Sequence, residues 1–149
     1  MKMDNPGNLE ILPALGTIQG LSRKIIVIGC YILPNYTSLR AAACLDYIEE
    51  LVIESKQQLK DPIIVVIGDF NQWPIQDALR EFRDIAESAA GPTRGTRTID
   101  RTFTNFNSVT GVGTLNPLQT DDEDFRESDH RIFYLLASIR RQEKYKWLK

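Results

Sequence analysis

The chain has 149 residues, room for one domain and hardly for two. Its 42% hydrophobic and 26% charged residues are those of a globular chain with a core, not of a disordered one. Eighteen Lys and Arg against twenty Asp and Glu give a net charge of −2, which argues against holding nucleic acid by bulk positive charge but leaves room for a local basic patch.

Cys30 and Cys44 are the only cysteines and His130 the only histidine, which excludes a disulfide framework, a four-cysteine zinc site and any zinc site needing two imidazoles. Residues Met1 to Gly20 lack the basic, apolar and small-residue order of a signal peptide. No apolar run approaches the roughly 18 residues of a membrane span. The expectation is a reduced, soluble, intracellular protein, nuclear or cytoplasmic.

Along the chain, residues 1–20 are weakly patterned, with Pro6, Gly7, Pro13, Gly16 and Gly20 leaving room only for short strands such as Leu9 to Leu12. Leu21 to Ile32 reads as a strand around the β-branched run Ile25-Ile-Val-Ile28, and Pro34-Asn35 ends it. Thr37 or Ser38 can cap a helix reaching about Leu59, because Ala41, Leu45, Ile48, Val52 and Leu59 share one face. Asp61-Pro62 stops it, and Ile63 to Ile67 forms the next strand. Strand, helix and strand in that order predict a right-handed crossover and two parallel strands.

Ile75 to Ala86 then reads as a short helix, with Ala78, Leu79, Phe82 and Ile85 apolar. Gly91 to Arg97 is a loop rich in Gly, Thr and Arg. Ile99 to Phe106, Val109 to Leu118 and Arg131 to Ile139 read as strands, and Thr120 to Ser128 as an acidic loop. The tail, residues 140–149, is basic and expected to fray. The class is α/β with a strand-rich second half.

Three short motifs carry chemistry: Tyr31-Ile-Leu-Pro-Asn35, Gly68-Asp-Phe-Asn71 and Ser128-Asp-His130. The second lies where an apolar strand leaves the core, the place where open α/β sheets bind ligands. Alternation around Phe70 points Asp69 and Asn71 to one side, a pairing suited to positioning water or to oxygen-type metal coordination. Alone it is equally a buried strand ending in a turn. In the third motif the single histidine stands beside a carboxylate, and its pKa near neutrality suits acid, base or cationic roles. Asp100, leading another strand, is a candidate for fixing its tautomer. The bland alternative is a Ser-Asp turn with an incidental histidine.

In this order the motifs resemble the endonuclease/exonuclease/phosphatase family, and within it the endonuclease domains of non-LTR retrotransposons, relatives of the apurinic repair endonucleases. Four segments carry the resemblance: Tyr31 to Tyr36, Ile67 to Asn71, Pro92-Thr-Arg-Gly-Thr-Arg-Thr-Ile-Asp-Arg-Thr-Phe-Thr-Asn105 and Ser128 to His130. The resemblance covers Arg23 to Ile139, roughly the C-terminal three-fifths of such a domain.

It implies part of a two-sheet β-sandwich flanked by helices (DNase I-like), with the N-terminal portion missing. The expected division is a poorly patterned segment 1–20, the partial domain 21–139 and the tail 140–149. The implied activity is Mg2+-dependent (or Mn2+-dependent) phosphodiester hydrolysis on DNA, with RNA a second candidate, and relatives carry a reverse transcriptase.

The implied roles fall on single positions. Asp69 matches the aspartate that orients or deprotonates the attacking water, and Asn71 the asparagine holding the scissile phosphate. His130 matches the histidine on a non-bridging oxygen, Asp100 the aspartate that holds that histidine, and Tyr31 a tyrosine at the phosphate. Asp129 matches a carboxylate associated with the divalent metal. Asn35 and Arg97 lie where relatives approach the nucleic-acid backbone. An imidazolium, an amide and a divalent ion around the phosphate would offset the charge that develops on its equatorial oxygens.

Arg94, Arg97 and Arg101 are phosphate contacts or a solvated loop in equal measure. Trp73 either stacks on a base or covers the sheet edge, the second being favoured. The family's early asparagine and its metal-binding glutamate have no counterpart, since Asn5 and Asn8 stand in no apolar strand and Glu10 lacks the family's Gln-Glu context. Two alternatives to an active nuclease follow: a catalytically inactive remnant acting at most as a binding module, and a small-molecule phosphatase of the same family.

Overall fold

A computed structural model describes residues 10–85, 97–115 and 132–137. Its strands are β1 (Ile11–Thr17), β2 (Lys24–Tyr31), β3 (Ile63–Asp69), β4 (Arg83–Asp84), β5 (Asp100–Thr104), β6 (Val109–Leu115) and β7 (Ile132–Ala137), with one long helix, α1 (Ser38–Gln58). Five strands form one sheet in the order β1-β2-β3-β5-β4, and β6 and β7 form a second, two-stranded one. The architecture is the mixed α/β class expected.

The β2–α1–β3 unit forms as its sequence dictates. Ile25 pairs with Ile63 and the ladder runs in parallel register to Tyr31 and Asp69. Thr37 is the helix N-cap, in extended backbone, and its hydroxyl accepts from the Arg40 amide at 3.3 Å. Ile26, Ile28 and Cys30 of β2, Ile64 and Val66 of β3 and Phe103 of β5 join Ala41, Cys44, Ile48, Leu51 and Val52 of α1 in one buried cluster. Alternate residues of each strand thus face the helix, as the period of two requires. Each buried Ile, Val, Leu and Phe among them contributes about 1.5–3 kcal/mol of transfer free energy. The expected helix face shifts slightly, because Cys44, Tyr47 and Leu51 are buried while Leu45 is only partly so.

At Gly68 the β2 backbone leaves no room for a side chain on β3. A Cβ there would lie 1.8 Å from the Cys30 carbonyl oxygen and 2.7 Å from its carbon, so only glycine fits. Both cysteines are free and buried, and burial raises the pKa of both thiols, holding that of Cys30 well above its ordinary value. They act as small hydrophobes, as expected.

Two elements differ from expectation. The stretch with room only for short strands is a seven-residue strand, β1, antiparallel to β2 from Ile11–Cys30 to Thr17–Lys24. Pro13 is tolerated because β1 ends the strand order, and an edge strand can spare an amide.

The expected helix Ile75 to Ala86 is instead a 3-10 turn, Ile75–Asp77, followed by β4. Its apolar residues Ile75, Leu79, Phe82 and Ile85 are buried all the same. Successive turn bonds, Ala78 N–H to Ile75 C=O and Phe82 N–H to Leu79 C=O, place them at near-threefold spacing without a helix. β5 then captures the chain through Arg83–Thr104 and Asp84–Phe103 pairing and an Ile85 N–H to Thr102 C=O bond at 2.8 Å. No helix among the described residues is long and apolar enough to cross a membrane.

Candidate active site

Strand pairing alone brings the candidate residues to one end of the five-stranded sheet. Tyr31, the last residue of β2, pairs with Asp69, the last of β3, and Asp69 pairs with Asp100, the first of β5. Side chains of directly paired residues share a face, so phenol and two carboxylates form a row on neighbouring strands, spaced about 4.7–4.9 Å apart. Tyr31 is exposed, whereas Asp69 and Asp100 are half-buried.

The row has a fourth member, Glu10, which its sequence context argues against. The Tyr31 amide donates to the Glu10 carbonyl at 2.8 Å, which continues the β1–β2 register by one residue and sets exposed Glu10 beside Tyr31. Only the Ile11–Cys30 register gives Glu10 away, and that requires recognising β1.

Past Asp69 the chain turns sharply. Asn71 has φ 49°, a left-handed conformation that asparagine tolerates better than most residues. Its amide N–H donates to Asp69 Oδ1 at 2.9 Å, a side-chain-closed turn that orients the carboxylate. Its side-chain Nδ2 donates to the Ile32 carbonyl at 2.9 Å. Asn71 is therefore tied both to the carboxylate two residues before it and to the neighbouring strand's exit.

Asn35, on the loop from β2 to α1, and Arg97, three residues before β5, are both exposed on connections at this same end. Asp129 and His130 lie outside the described residues, as do Arg94 and the acidic residues 121–124.

Two readings of the sequence are now decided. Arg101 lies within β5 and not on a solvated loop: its Nε donates to Asp84 Oδ2 at 2.8 Å, its terminal nitrogen bonds the same carboxylate, and both side chains are 13% exposed. Its guanidinium also lies 5.3 Å from the Phe103 ring centre. Trp73 covers the core edge, half-buried, with its indole N–H donating to the Leu33 carbonyl at 3.0 Å.

The row offers oxygen donors alone: three carboxylates, one phenol and, nearby, one amide. That donor set suits a hard, partly hydrated ion such as Mg2+ and not a thiolate- or imidazole-loving metal. Among the described residues no group of three His, Cys, Asp or Glu side chains converges closely enough to cage an ion.

No protein-family model and no curated protein matches the sequence. Solved structures do match. A mannosyl-6-phosphatase of Bacteroides thetaiotaomicron superimposes with a TM-score of 0.55 at 15% identity, covering 78% of this chain and 51% of that one. A conserved protein of unknown function from Enterococcus faecalis gives 0.54 at 15% identity, with coverages of 80% and 53%. An endonuclease/exonuclease/phosphatase family protein of B. thetaiotaomicron gives 0.51 at 17%, with coverages of 74% and 48%. At such identities the likeness is one of fold. The chain spans about half the length of these structures.

Proposed function

We propose that this chain carries the C-terminal part of a phosphoester hydrolase of the endonuclease/exonuclease/phosphatase kind, and that its substrate is a nucleic-acid phosphodiester, DNA before RNA. The observation that carries the reading is the Tyr31–Asp69–Asp100 row, with Asn71 folded back on Asp69 at the same sheet end.

In this reading the Asp69 carboxylate, aimed by the Asn71 amide, accepts the proton of the attacking water as its oxygen bonds phosphorus and the ester bond breaks. The Asn71 side-chain amide keeps one Nδ2 proton for a phosphate oxygen beyond the one given to Ile32. The Tyr31 phenol faces the same phosphate from β2. His130, held by Asp100, donates to a non-bridging oxygen, and Asn35 and Arg97 meet the nucleic-acid backbone on either side. Asp129 and the oxygen donors of the row are the residues that would hold Mg2+ or Mn2+, which would supply charge neutralisation to the phosphate. The wording from Pro92 to Asn105 resembles that of retrotransposon endonucleases, and on that resemblance we favour a polynucleotide substrate and an ancestry beside a reverse transcriptase.

The experiment is to incubate purified chain with supercoiled plasmid and Mg2+, beside Asp69→Asn and His130→Ala. Nicking that vanishes with EDTA and in both variants supports the reading; equal behaviour of all three proteins refutes it and leaves the inactive binding module. A second reading draws on the sugar phosphatase among the similar folds. Release of phosphate from a hexose 6-phosphate without plasmid nicking would select it.

A further inference from the structure

We infer that Gln72 and Trp73 are positioning residues, which hold the exit of β2, and with it Tyr31, against the exit of β3 that carries Asp69. Three consecutive side chains donate to three consecutive carbonyls. Asn71 Nδ2 meets Ile32 C=O at 2.9 Å, Trp73 Nε1 meets Leu33 C=O at 3.0 Å, and Gln72 Nε2 meets Pro34 C=O at 2.6 Å. A carbonyl only accepts, so the amide groups of Asn71 and Gln72 must present nitrogen there, and their orientation is settled by chemistry.

The arrangement begins where backbone pairing stops. The last ladder bond between the strands is Ile32 N–H to Asp69 C=O at 2.9 Å. At Asn71 the chain turns away with φ 49°, and its backbone can no longer face the β2 exit. Side-chain donors take over and continue the pairing for three more residues, along the segment between Tyr31 and Asn35. The two residues contribute differently. Trp73 is half-buried against the core, whereas Gln72 is exposed and its long side chain gives up rotamer freedom to reach Pro34. A single exposed hydrogen bond adds little stability. What it fixes is the position of one strand end against another, and displacements of about 1 Å at a reacting group can cost up to a hundredfold in rate.

The catalytic part of this inference rests on the hydrolase reading above; the structural part does not. The test uses the full chain with Trp73→Phe, which keeps the ring and removes the indole donor, and Gln72→Glu, which sets an acceptor against the Pro34 carbonyl. Gln72→Lys restores a donor. Amide hydrogen exchange of residues 32, 33, 35 and 36 is expected to rise about fivefold in Trp73→Phe and Gln72→Glu, with α1 unchanged and Gln72→Lys near wild type. Against bis(p-nitrophenyl) phosphate with Mg2+, kcat is expected to fall about tenfold in the first two variants, with KM within about twofold and recovery in Gln72→Lys. Unchanged exchange in both variants, equal behaviour of Gln72→Glu and Gln72→Lys, or raised exchange with wild-type kcat would each overturn the inference. A wild-type chain without activity counts against the hydrolase reading, and the exchange measurement then decides for or against the clamp.

Discussion

Replacing Gly68 with alanine should damage this protein far more than the same change at Gly29, one strand away. A methyl group at position 68 would sit 1.8 Å from the Cys30 carbonyl oxygen, inside the covalent core of a neighbouring strand that cannot give way as a side chain can. At position 29 the nearest neighbour outside the local chain, the Leu12 carbonyl oxygen, is 3.7 Å away, an ordinary contact. Overpacking of this kind costs about 3 kcal/mol, the upper end of its usual range, because two central strands must part. Against this stands a gain of about 0.4–1 kcal/mol at either site from the stiffer unfolded chain. The net expectation is a loss of about 2–3 kcal/mol for Gly68→Ala and a change within about 1 kcal/mol for Gly29→Ala. For a chain of this size that corresponds to a fall in Tm of roughly 4–12 °C in the first case and little in the second. Urea unfolding followed by far-UV circular dichroism measures both, with equal slopes confirming that midpoints report stability. A difference between the two variants below about 1 kcal/mol would show that the β2–β3 approach does not demand glycine.

Four further outcomes are expected. Arg101→Met removes the guanidinium from the half-hidden Asp84 carboxylate and should cost about 3 kcal/mol, and Arg101→Met/Asp84→Leu should recover most of it; simple additivity of the single losses in denaturant midpoints would refute the pairing. Because burial raises the folded pKa of the Cys30 thiol, its contribution to stability is full below the unfolded value of about 8.5 and is lost as pH climbs above it, so Cys30→Ala should flatten the decline in stability between about pH 8.5 and 10. Both thiols should likewise resist DTNB until denaturant exposes them, and prompt labelling of native protein would contradict their burial. Thr37→Ala should lose about 1 kcal/mol through the N-cap, with Thr37→Ser near wild type, read in the same urea titrations.

What could be read from the sequence was whatever the chain specifies locally. Ile25 to Ile28 and Ile63 to Ile67 are β-branched runs that favour strands, and α1 has a capping threonine and a continuous apolar face, so β2, α1, β3 and their parallel pairing followed directly. Asp69, Tyr31 and Asp100 stood at strand ends, and register then set two of the motifs and the Asp100 segment in one row, while Ser128 to His130 lie outside the described residues. What escaped was set by partners. β1 carries Pro13 and Gly16 and has no alternation, yet seven residues of β2 give it a ladder. β4 is two residues long and exists because β5 needs a neighbour. Glu10 joins the row only through β1, and the donors of Asn71, Gln72 and Trp73 find carbonyls some forty positions upstream, a distance over which no sequence period carries information.

The hydrogen-bond parity of β1 has a consequence for the behaviour of the protein in solution. Glu10 and Tyr31 are a hydrogen-bonded pair, so in an antiparallel ladder residues 12, 14 and 16 point their amides towards β2 while 11, 13, 15 and 17 point outwards. The outward place at the middle of the strand is Pro13, which has no amide to offer. An incoming strand, from another molecule or from a nascent chain, would meet a gap in the row of donors just where exposed Leu12 and Leu15 would otherwise invite it. The proline costs the native ladder nothing and obstructs edge-to-edge growth into fibrils or amorphous aggregates. Among the described residues Pro13 thus leaves a gap in the outward row of donors.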